Sequence, residues 1–414
     1  MGFNPLKERG TPIDKQIRNW SELNVRPYDK ESVDPFTRAR VILTNGIEAE
    51  AVVFGHQMSR NTTDTGLKQQ LAMSRRVEQQ QQKIVNWLIP AQEDVLEVTV
   101  GYEQVAVDLT AWLARTEPDP NVKTALDFAL LEDFDHLYRY SNLMERMTGK
   151  QAEKIVGAYT EIFPGRPTVY EHRHPFDSIR TPYDKDRAEV LTKLHVLTIV
   201  SGEQQTMNYY MNVGNRLSSE VARGLYQEIA QIEEQHVSHY ESLADPRETW
   251  LERLVMHEYN EAYMYYSCMQ SETDARIRDI WEMNLSDEIE HVRVASEWLK
   301  ENEGRDLDSL MLGEFPELTI FQSNKDYVRH IERSQYDLTA DGPNYVPVDS
   351  LAPDSRYFAT QEQINSGGFV PSQQVIAENI EKNGQDYRLE TEGEHPVVQL
   401  RERHHVTELE IMHV

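Results

Sequence analysis

Glu288 and His291 stand three residues apart in the segment NLSDEIEHVRVASEW (residues 284–298), whose apolar residues otherwise repeat like the buried face of a helix. A carboxylate and an imidazole one helical turn apart can bind one transition-metal ion together. The same spacing of an acid three residues before a histidine occurs seven times in the chain. In an acidic protein such a pair usually lies on a solvated helix face, so the motif alone is weak evidence.

A second spacing strengthens the metal interpretation. Four glutamates precede the acid of such a helical motif by the same interval, a difference of 30 in sequence number: Glu48 before Glu78, Glu103 before Asp133, Glu203 before Glu233, and Glu258 before Glu288. Three of these acids are followed by His136, His236 and His291, and the fourth by Gln81. Positions 48, 78, 81, 103, 133 and 136 therefore recur, shifted by 155, as 203, 233, 236, 258, 288 and 291. This pattern indicates an internal duplication.

Helix-start signals such as Asp119-Pro120 and Asp245-Pro246 divide the region that carries these residues. They predict eight long helices, at 38–59, 66–88, 91–116, 121–148, 186–215, 218–243, 246–270 and 272–302. We predict an all-α fold of two tandem pairs of helical hairpins in four-helix-bundle packing. The predicted domains are an N-terminal arm (1–37), a first helical half (38–150), an irregular linker (151–185), a second half (186–302) and an extended, mostly irregular C-terminal arm (303–414).

The helical hairpin explains why the spacing recurs. A carboxylate on one helix meets a carboxylate and an imidazole on its antiparallel partner at the same height when the hairpin folds. Two such half-sites supply four carboxylates and two histidines, a set that suits a pair of iron or manganese ions. Without metal, the buried carboxylates would repel one another and each would incur a desolvation cost of several kcal/mol.

The sequence leaves the pairing of the hairpins open. The segment from His236 to Glu258 is too short for a crossover that runs the full length of a bundle, so a short antiparallel link must join these two helices. The sites could form within each half. They could also form across the halves, if the second hairpin pairs with the third and the first with the fourth. The first half has the poorer ligands, with Gln81 and Asp133, although Glu50, Glu132 and Asp135 lie nearby and could compensate. The segment EHRHP (residues 171–175) is interpreted as a structural loop rather than a further metal cluster.

At these residues the sequence resembles the ferritin-like di-iron carboxylate proteins, and its second half is most similar to rubrerythrin. The resemblance implies a centre of two iron ions, or manganese or a mixed pair, held by Glu203, Glu233, His236, Glu258, Glu288 and His291, with a second di-metal site in the first half as a further expectation. It implies that Glu261 is an additional, switching carboxylate, that Tyr210 would hydrogen-bond Glu261 once it is released, and that Tyr210 and Tyr266 lie near the metals. It also implies reduction of hydrogen peroxide or dioxygen.

The composition restricts the partners. The chain has 42 basic and 70 acidic residues, a net charge of −28, which argues against nucleic acid and anionic membranes as partners. The single cysteine, Cys268, rules out a rubredoxin-type centre, so electrons would come from an external donor protein. We expect a cytoplasmic protein that self-associates through its tail. The alternative functions are a di-metal oxygenase or oxidase that acts on a small organic substrate, and a ferroxidase or iron-binding protein.

Overall fold

The computed structural model describes residues 2–402, and the eight predicted long helices are all present. In chain order, the helices up to residue 303 are α1 (Pro35–Asn61), α2 (Thr65–Asn86), α3 (Val95–Thr116), α4 (Pro120–Thr148), α5 (Glu153–Val156), α6 (Thr168–Glu171), α7 (Val190–Val213), α8 (Glu220–Glu241), α9 (Trp250–Ser271) and α10 (Ala275–Glu303). Only α5 and α6 are short, and both lie in the segment predicted to be irregular. The all-α class is confirmed.

Local sequence fixes where the helices begin and end. Asp119 precedes Pro120, and its carboxylate accepts hydrogen bonds from the first backbone amides of α4. The helices α4 and α10 end at Gly149 and Gly304, whose left-handed φ angles of 72° and 67° favour glycine. The two glycines are related by the same shift of 155, so the duplication includes the helix ends.

The helices pair across the two halves of the sequence. Each hairpin forms from consecutive helices, but α3 and α4 pack with α7 and α8, while α1 packs with α9. We call the first group bundle A (α3, α4, α7 and α8) and the second bundle B (α1, α2, α9 and α10). At the junction of the two bundles, α1 contacts α3, α7 and α9, and α7 contacts α3 and α9. Each bundle therefore takes one hairpin from each half.

The segments that precede the two halves are also related. The sequence PYDK occurs at residues 27–30 and again at 182–185, a shift of 155. Lys30 contacts Glu97 at 3.0 Å, and Lys185 contacts Glu252 at 2.8 Å. The N-terminal arm and the linker are therefore corresponding parts of two repeat units, rather than unrelated connections.

The C-terminal arm combines irregular chain with short helices and one β-hairpin. It contains α11 (Lys325–Gln335), α12 (Arg356–Asn365), α13 (Pro371–Asn383) and a hairpin of β1 (Leu338–Asp341) and β2 (Asn344–Pro347). A few buried residues, such as Val328, Ile331 and Val375, anchor its helices to the outside of bundle A, and irregular chain connects these elements. Self-association of the chain stays a prediction.

One buried carboxyl, that of Asp108 on α3, links three parts of the chain. Thr160 of the linker donates a hydrogen bond to this carboxyl at 2.5 Å, and Asn324 of the arm donates one to its Oδ1 atom at 3.4 Å. Burial raises the pKa of Asp108 to about 7, against the lowering effect of these donors.

We expect the raised pKa of Asp108 to make stability fall with rising pH. The folded state binds the Asp108 proton more tightly than the unfolded chain does. The protonated carboxyl therefore makes its full contribution to the free energy of unfolding below about pH 4, and this contribution is lost as the pH rises to about 7. The loss is about 1.4 kcal/mol for each pH unit between the two pKa values. Asp108→Asn should therefore raise the melting temperature at pH 8 more than at pH 5. The exposed Asp279→Asn is the control, and an equal response of both variants at the two pH values would contradict the prediction.

No helix among residues 2–402 combines the length and the apolar character that crossing a membrane requires.

Candidate metal centres

Bundle A brings six predicted ligand residues into one buried cluster, which we call site A. It consists of Glu103 on α3, Asp133 and His136 on α4, Glu203 on α7, and Glu233 and His236 on α8. These residues form two groups, and within each group the ligand atoms all lie within 4.8 Å of one another. One group consists of Asp133, Glu203, Glu233 and His236, and the other of Glu103, His136 and Glu233. Glu233 belongs to both groups, so its carboxylate is placed to bridge two ions.

The histidines of site A present the same ring nitrogen to the carboxylates. The Nδ1 atom of His136 lies 3.1 Å from Glu233, and the Nδ1 atom of His236 lies 3.3 Å from Asp133 and 3.5 Å from Glu203. Neither Nδ1 atom makes a hydrogen bond of acceptable geometry within the described chain. Each of these atoms faces the carboxylates of its own ligand group and is placed as a ligand there.

The opposite ring nitrogens are held by carboxylates outside the cluster. The Nε2 atom of His136 lies 2.8 Å from Glu171, and that of His236 lies 2.8 Å from Glu132. Because a carboxylate only accepts hydrogen bonds, each Nε2 carries a proton and each Nδ1 can offer its lone pair to a metal. Arg166 and Arg173 hold Glu132 in turn, with contacts of 3.1 and 2.9 Å. The segment EHRHP thus supports site A from outside.

Bundle B forms a second buried cluster, site B, from Glu48, Glu78, Gln81, Glu258, Glu261, Glu288 and His291. The Nδ1 atom of His291 lies 3.0 Å from Glu78, 3.0 Å from Glu288 and 3.5 Å from Glu258. Its Nε2 atom lies 2.7 Å from the Oε1 atom of Gln16 in the N-terminal segment, so this nitrogen is also the protonated one. Glu78 and Glu288 belong to both ligand groups of site B and are placed to bridge.

Gln81 and Glu261 distinguish site B from site A. The shift of 155 places Gln81 where site A has His236, and Gln81 donates a hydrogen bond to Glu288. One ligand group of site B has no histidine and consists of Glu48, Glu78, Glu261 and Glu288. Glu261 therefore supplies an additional carboxylate to the group in which Gln81 stands in place of a histidine. Site A therefore has four carboxylates and two histidines, and site B has five carboxylates and one histidine.

The donor atoms of both clusters fit metal ions. Buried carboxylate oxygens of Glu48, Glu103, Glu203, Glu233 and Glu261 have no hydrogen-bond partner among the described residues. Burial and carboxylate neighbours raise the pKa of Glu203 and of Glu261 well above the usual range. Burial would raise the pKa of Glu233, but the adjacent imidazoles of His136 and His236 outweigh it and lower this pKa. Two divalent ions would balance the four carboxylates of site A and would satisfy the unpartnered atoms.

A tyrosine hydroxyl touches each cluster. Tyr210 donates a hydrogen bond to Glu103 of site A, and Tyr265 donates one to Glu48 of site B. The structure corrects two expectations here, because Tyr210 lies in the bundle that lacks Glu261, and Tyr266 stacks on Phe3 with ring centroids 4.4 Å apart. Tyr266 is adjacent in sequence to the residue that faces site B, but the helical turn directs it outward.

The single six-ligand site expected from the second half is also corrected. Glu203, Glu233 and His236 belong to site A, whereas Glu258, Glu288 and His291 belong to site B. The first-half residues complete both clusters. Of the compensating acids, Glu132 supports His236, Asp135 binds Arg139 at 2.8 Å, and Glu50 binds His257 at 2.9 Å outside the cluster.

Sequence reasoning missed the residues that support the histidines. The shift of 155 relates Gln16 to Glu171. It also relates Arg18, which binds Asp287, to Arg173, which binds Glu132. The shift that revealed the ligands would have revealed these residues too. In each case the supporting residue comes from the other repeat unit, so each unit completes a site in its partner.

Two cavities, of about 910 and 660 Å³, open near the bundles, and no cluster residue lines either of them. The larger is bounded by α1, α2, α3 and α7, and the smaller by α8, the linker and the arm. Neither cavity brings an organic molecule against the clusters.

No family model matches the chain, and comparison with curated proteins and with solved structures gave no significant match.

The support of His136 gives a testable prediction. Glu171→Ala should weaken metal binding at site A about 10- to 100-fold, because the imidazole loses the acceptor that fixes its orientation and its tautomer. Glu171→Gln, which keeps an acceptor, should have the smaller effect. Competition titration with a metal-sensitive dye measures both affinities, and equal affinities of wild type and Glu171→Ala would contradict the role.

Proposed function

We propose that the protein is a di-metal carboxylate redox protein that reduces a small oxidant, hydrogen peroxide or dioxygen, with electrons from an external donor. The observation that carries this proposal is the pair of buried clusters in which carboxylate and imidazole atoms converge, several of them without a hydrogen-bond partner among the described residues. The residue pattern, a glutamate on one helix and an acid-x-x-His motif on the next, resembles that of rubrerythrin and other ferritin-like di-iron proteins. Iron or manganese bound there would supply the redox chemistry.

The protein residues have separate tasks in this proposal. Glu233 in site A, and Glu78 and Glu288 in site B, are shared between two ligand groups and would hold two ions as a pair. The hydroxyls of Tyr210 and Tyr265 keep their protons, because burial and an adjacent carboxylate raise their pKa values. They are positioned to donate hydrogen bonds beside the reacting centre.

The surroundings of the clusters favour a small oxidant over an organic substrate. An oxygenase would need a pocket in contact with the metals, and neither described cavity is lined by a ligand residue. Peroxide needs only two electrons and two protons to become two molecules of water. The closed, polar character of the clusters is compatible with a reactant of that size.

Glu261 indicates how site B would prefer peroxide. A fifth carboxylate would favour the more positive, oxidised state of a metal pair. By analogy with rubrerythrin, Glu261 would help to hold the oxidised pair and would not be needed by the reduced pair. Glu261 is buried and one of its carboxylate oxygens has no partner, so nothing in the described chain holds that oxygen in place. The neighbour expected to stabilise it, Tyr210, lies at the other site.

The test is stopped-flow oxidation of the fully reduced, metal-loaded protein by hydrogen peroxide and by dioxygen in separate experiments. Wild type should react at least tenfold faster with peroxide, and Glu261→Ala should lose most of that preference. Glu234→Ala, which changes an exposed acid on α8, is the matched control. Faster reaction with dioxygen, or an unchanged Glu261→Ala protein, would contradict the role of Glu261, and no reaction with either oxidant would contradict the proposed function.

A further inference from the structure

Five tyrosines form a continuous aromatic cluster beside site A. Tyr210, which donates to Glu103, lies 5.0 Å from Tyr140, 5.5 Å from Tyr226 and 5.9 Å from Tyr209, measured between ring centroids. Tyr209 stacks on Tyr102 with centroids 4.4 Å apart and planes inclined by 12°. Tyr265 of site B has one close ring neighbour within the described chain, Trp281, at 6.0 Å.

The cluster ends at the larger cavity. Tyr102 and Tyr209 both line the 910 Å³ cavity, so the series Tyr102, Tyr209, Tyr210 runs from the cavity wall to a ligand of site A. Tyr140 and Tyr226 lie beside this series and do not line the cavity. Oxidisable aromatic rings in near contact can pass single electrons from the cavity to site A.

The cavity lining indicates what it would bind. Its polar residues are mainly amides, including Asn45, Gln82, Asn86 and Gln205, and Glu50 is the one charged residue among the described residues that line it. Asn45 is buried, and its amide donates to Gln205 while its carbonyl oxygen has no partner. Aromatic walls with amide donors and acceptors suit a flat, uncharged ring with hydrogen-bonding edges. The lack of a cationic residue among the described lining residues disfavours a phosphate group.

From this arrangement we infer that the cavity binds a reduced flavin-type or quinol-type ring, and that Tyr102, Tyr209 and Tyr210 carry its electrons to site A. The inference rests on the proposed function and narrows the donor from a protein to a small molecule. The dihydro ring gives up two electrons, one at a time, and two protons, and becomes the oxidised ring. One molecule of hydrogen peroxide takes up two electrons and two protons and becomes two molecules of water.

Binding is tested on the full-length protein as purified, without any oxidant, so its outcome does not depend on the proposed function. Riboflavin should bind with quenching of its fluorescence, and its phosphate ester should bind at least tenfold more weakly. Val53→Trp fills the cavity from a partly exposed position and should weaken riboflavin binding at least tenfold. Met211→Trp, on the exposed side of α7, is the matched control. Absence of riboflavin binding, or unchanged binding by Val53→Trp, would overturn the cavity assignment.

Electron transfer is tested by substitutions that keep the ring and remove the oxidisable hydroxyl. Tyr209→Phe and Tyr210→Phe should slow oxidation of bound dihydroriboflavin by peroxide at least tenfold. Tyr210 does not line the cavity, so Tyr210→Phe should leave riboflavin affinity unchanged. A tyrosyl radical, detected by electron paramagnetic resonance after peroxide is added without donor, should be lost in Tyr210→Phe. Tyr226→Phe should behave as wild type, because its ring lies beside the series. If both series variants transfer electrons at the wild-type rate, the tyrosine route is wrong, even if riboflavin binds.

Discussion

Glu233→Ala and Glu288→Ala should each reduce the metal content of the purified protein from four ions per chain to two. Glu233 is shared by both ligand groups of site A, and Glu288 by both groups of site B, so each substitution removes a bridge and leaves buried histidine and carboxylate ligands without a counter-charge. The double variant should retain no tightly bound metal. Elemental analysis after dialysis measures the result.

This experiment also distinguishes the two ways of pairing the hairpins. If the sites formed within each half, Glu233 and Glu288 would belong to one site, and the double variant would retain as much metal as either single variant. Glu234→Ala and Glu290→Ala, at the positions next to Glu233 and two after Glu288, should keep four ions. Four ions in Glu233→Ala would disprove the assignment of site A.

Loss of metal should lower stability as well. A ligand that binds only the native state stabilises it by about 4 kcal/mol when present at 1,000 times its dissociation constant. Melting temperatures measured with and without chelator should therefore differ strongly for wild type. The difference should be smaller for each single variant and absent for the double variant.

Ending the chain after residue 305 should abolish cooperative folding, rather than leave an intact metal-binding bundle of altered oligomeric state. The truncation removes buried side chains from both cores, among them Leu310, Phe315, Val328, Ile331 and Val375. Each fully buried apolar side chain contributes roughly 1.5–3 kcal/mol, so their sum is comparable with the roughly 5–15 kcal/mol of a typical native state. Thermal unfolding followed by near-ultraviolet circular dichroism measures the loss.

A matched pair of substitutions within the arm provides the control. Val375 is fully buried, whereas Val398 is 66% exposed. Val375→Ala should cost about 2 kcal/mol of unfolding free energy, and Val398→Ala should have little effect. A truncated protein that melts at the wild-type temperature would show that the arm does not stabilise the bundles. Sedimentation of the same samples tests whether the chain self-associates.

The sequence by itself determined the local structure and the kind of chemistry. Apolar periodicity and capping residues such as Asp119 act within a few residues, so the eight helices could be placed from the sequence. The recurring interval within each hairpin, together with the shift between the two repeat units, identified every residue that the structure gathers into sites A and B except Glu261, which the resemblance to rubrerythrin indicated. Helical geometry alone places a glutamate opposite an acid-x-x-His motif.

Only the tertiary structure decided which half-sites meet. Pairing within or across the halves leaves the same short-range spacings, and the choice depends on packing of α1, α3, α7 and α9 between residues that are far apart in the chain. That packing assigns Tyr210 to Glu103 rather than Glu261, and brings Gln16 to His291 from the far end of the sequence. It also orders the C-terminal arm, whose few apolar residues are buried against bundle A helices that are far from them in the chain.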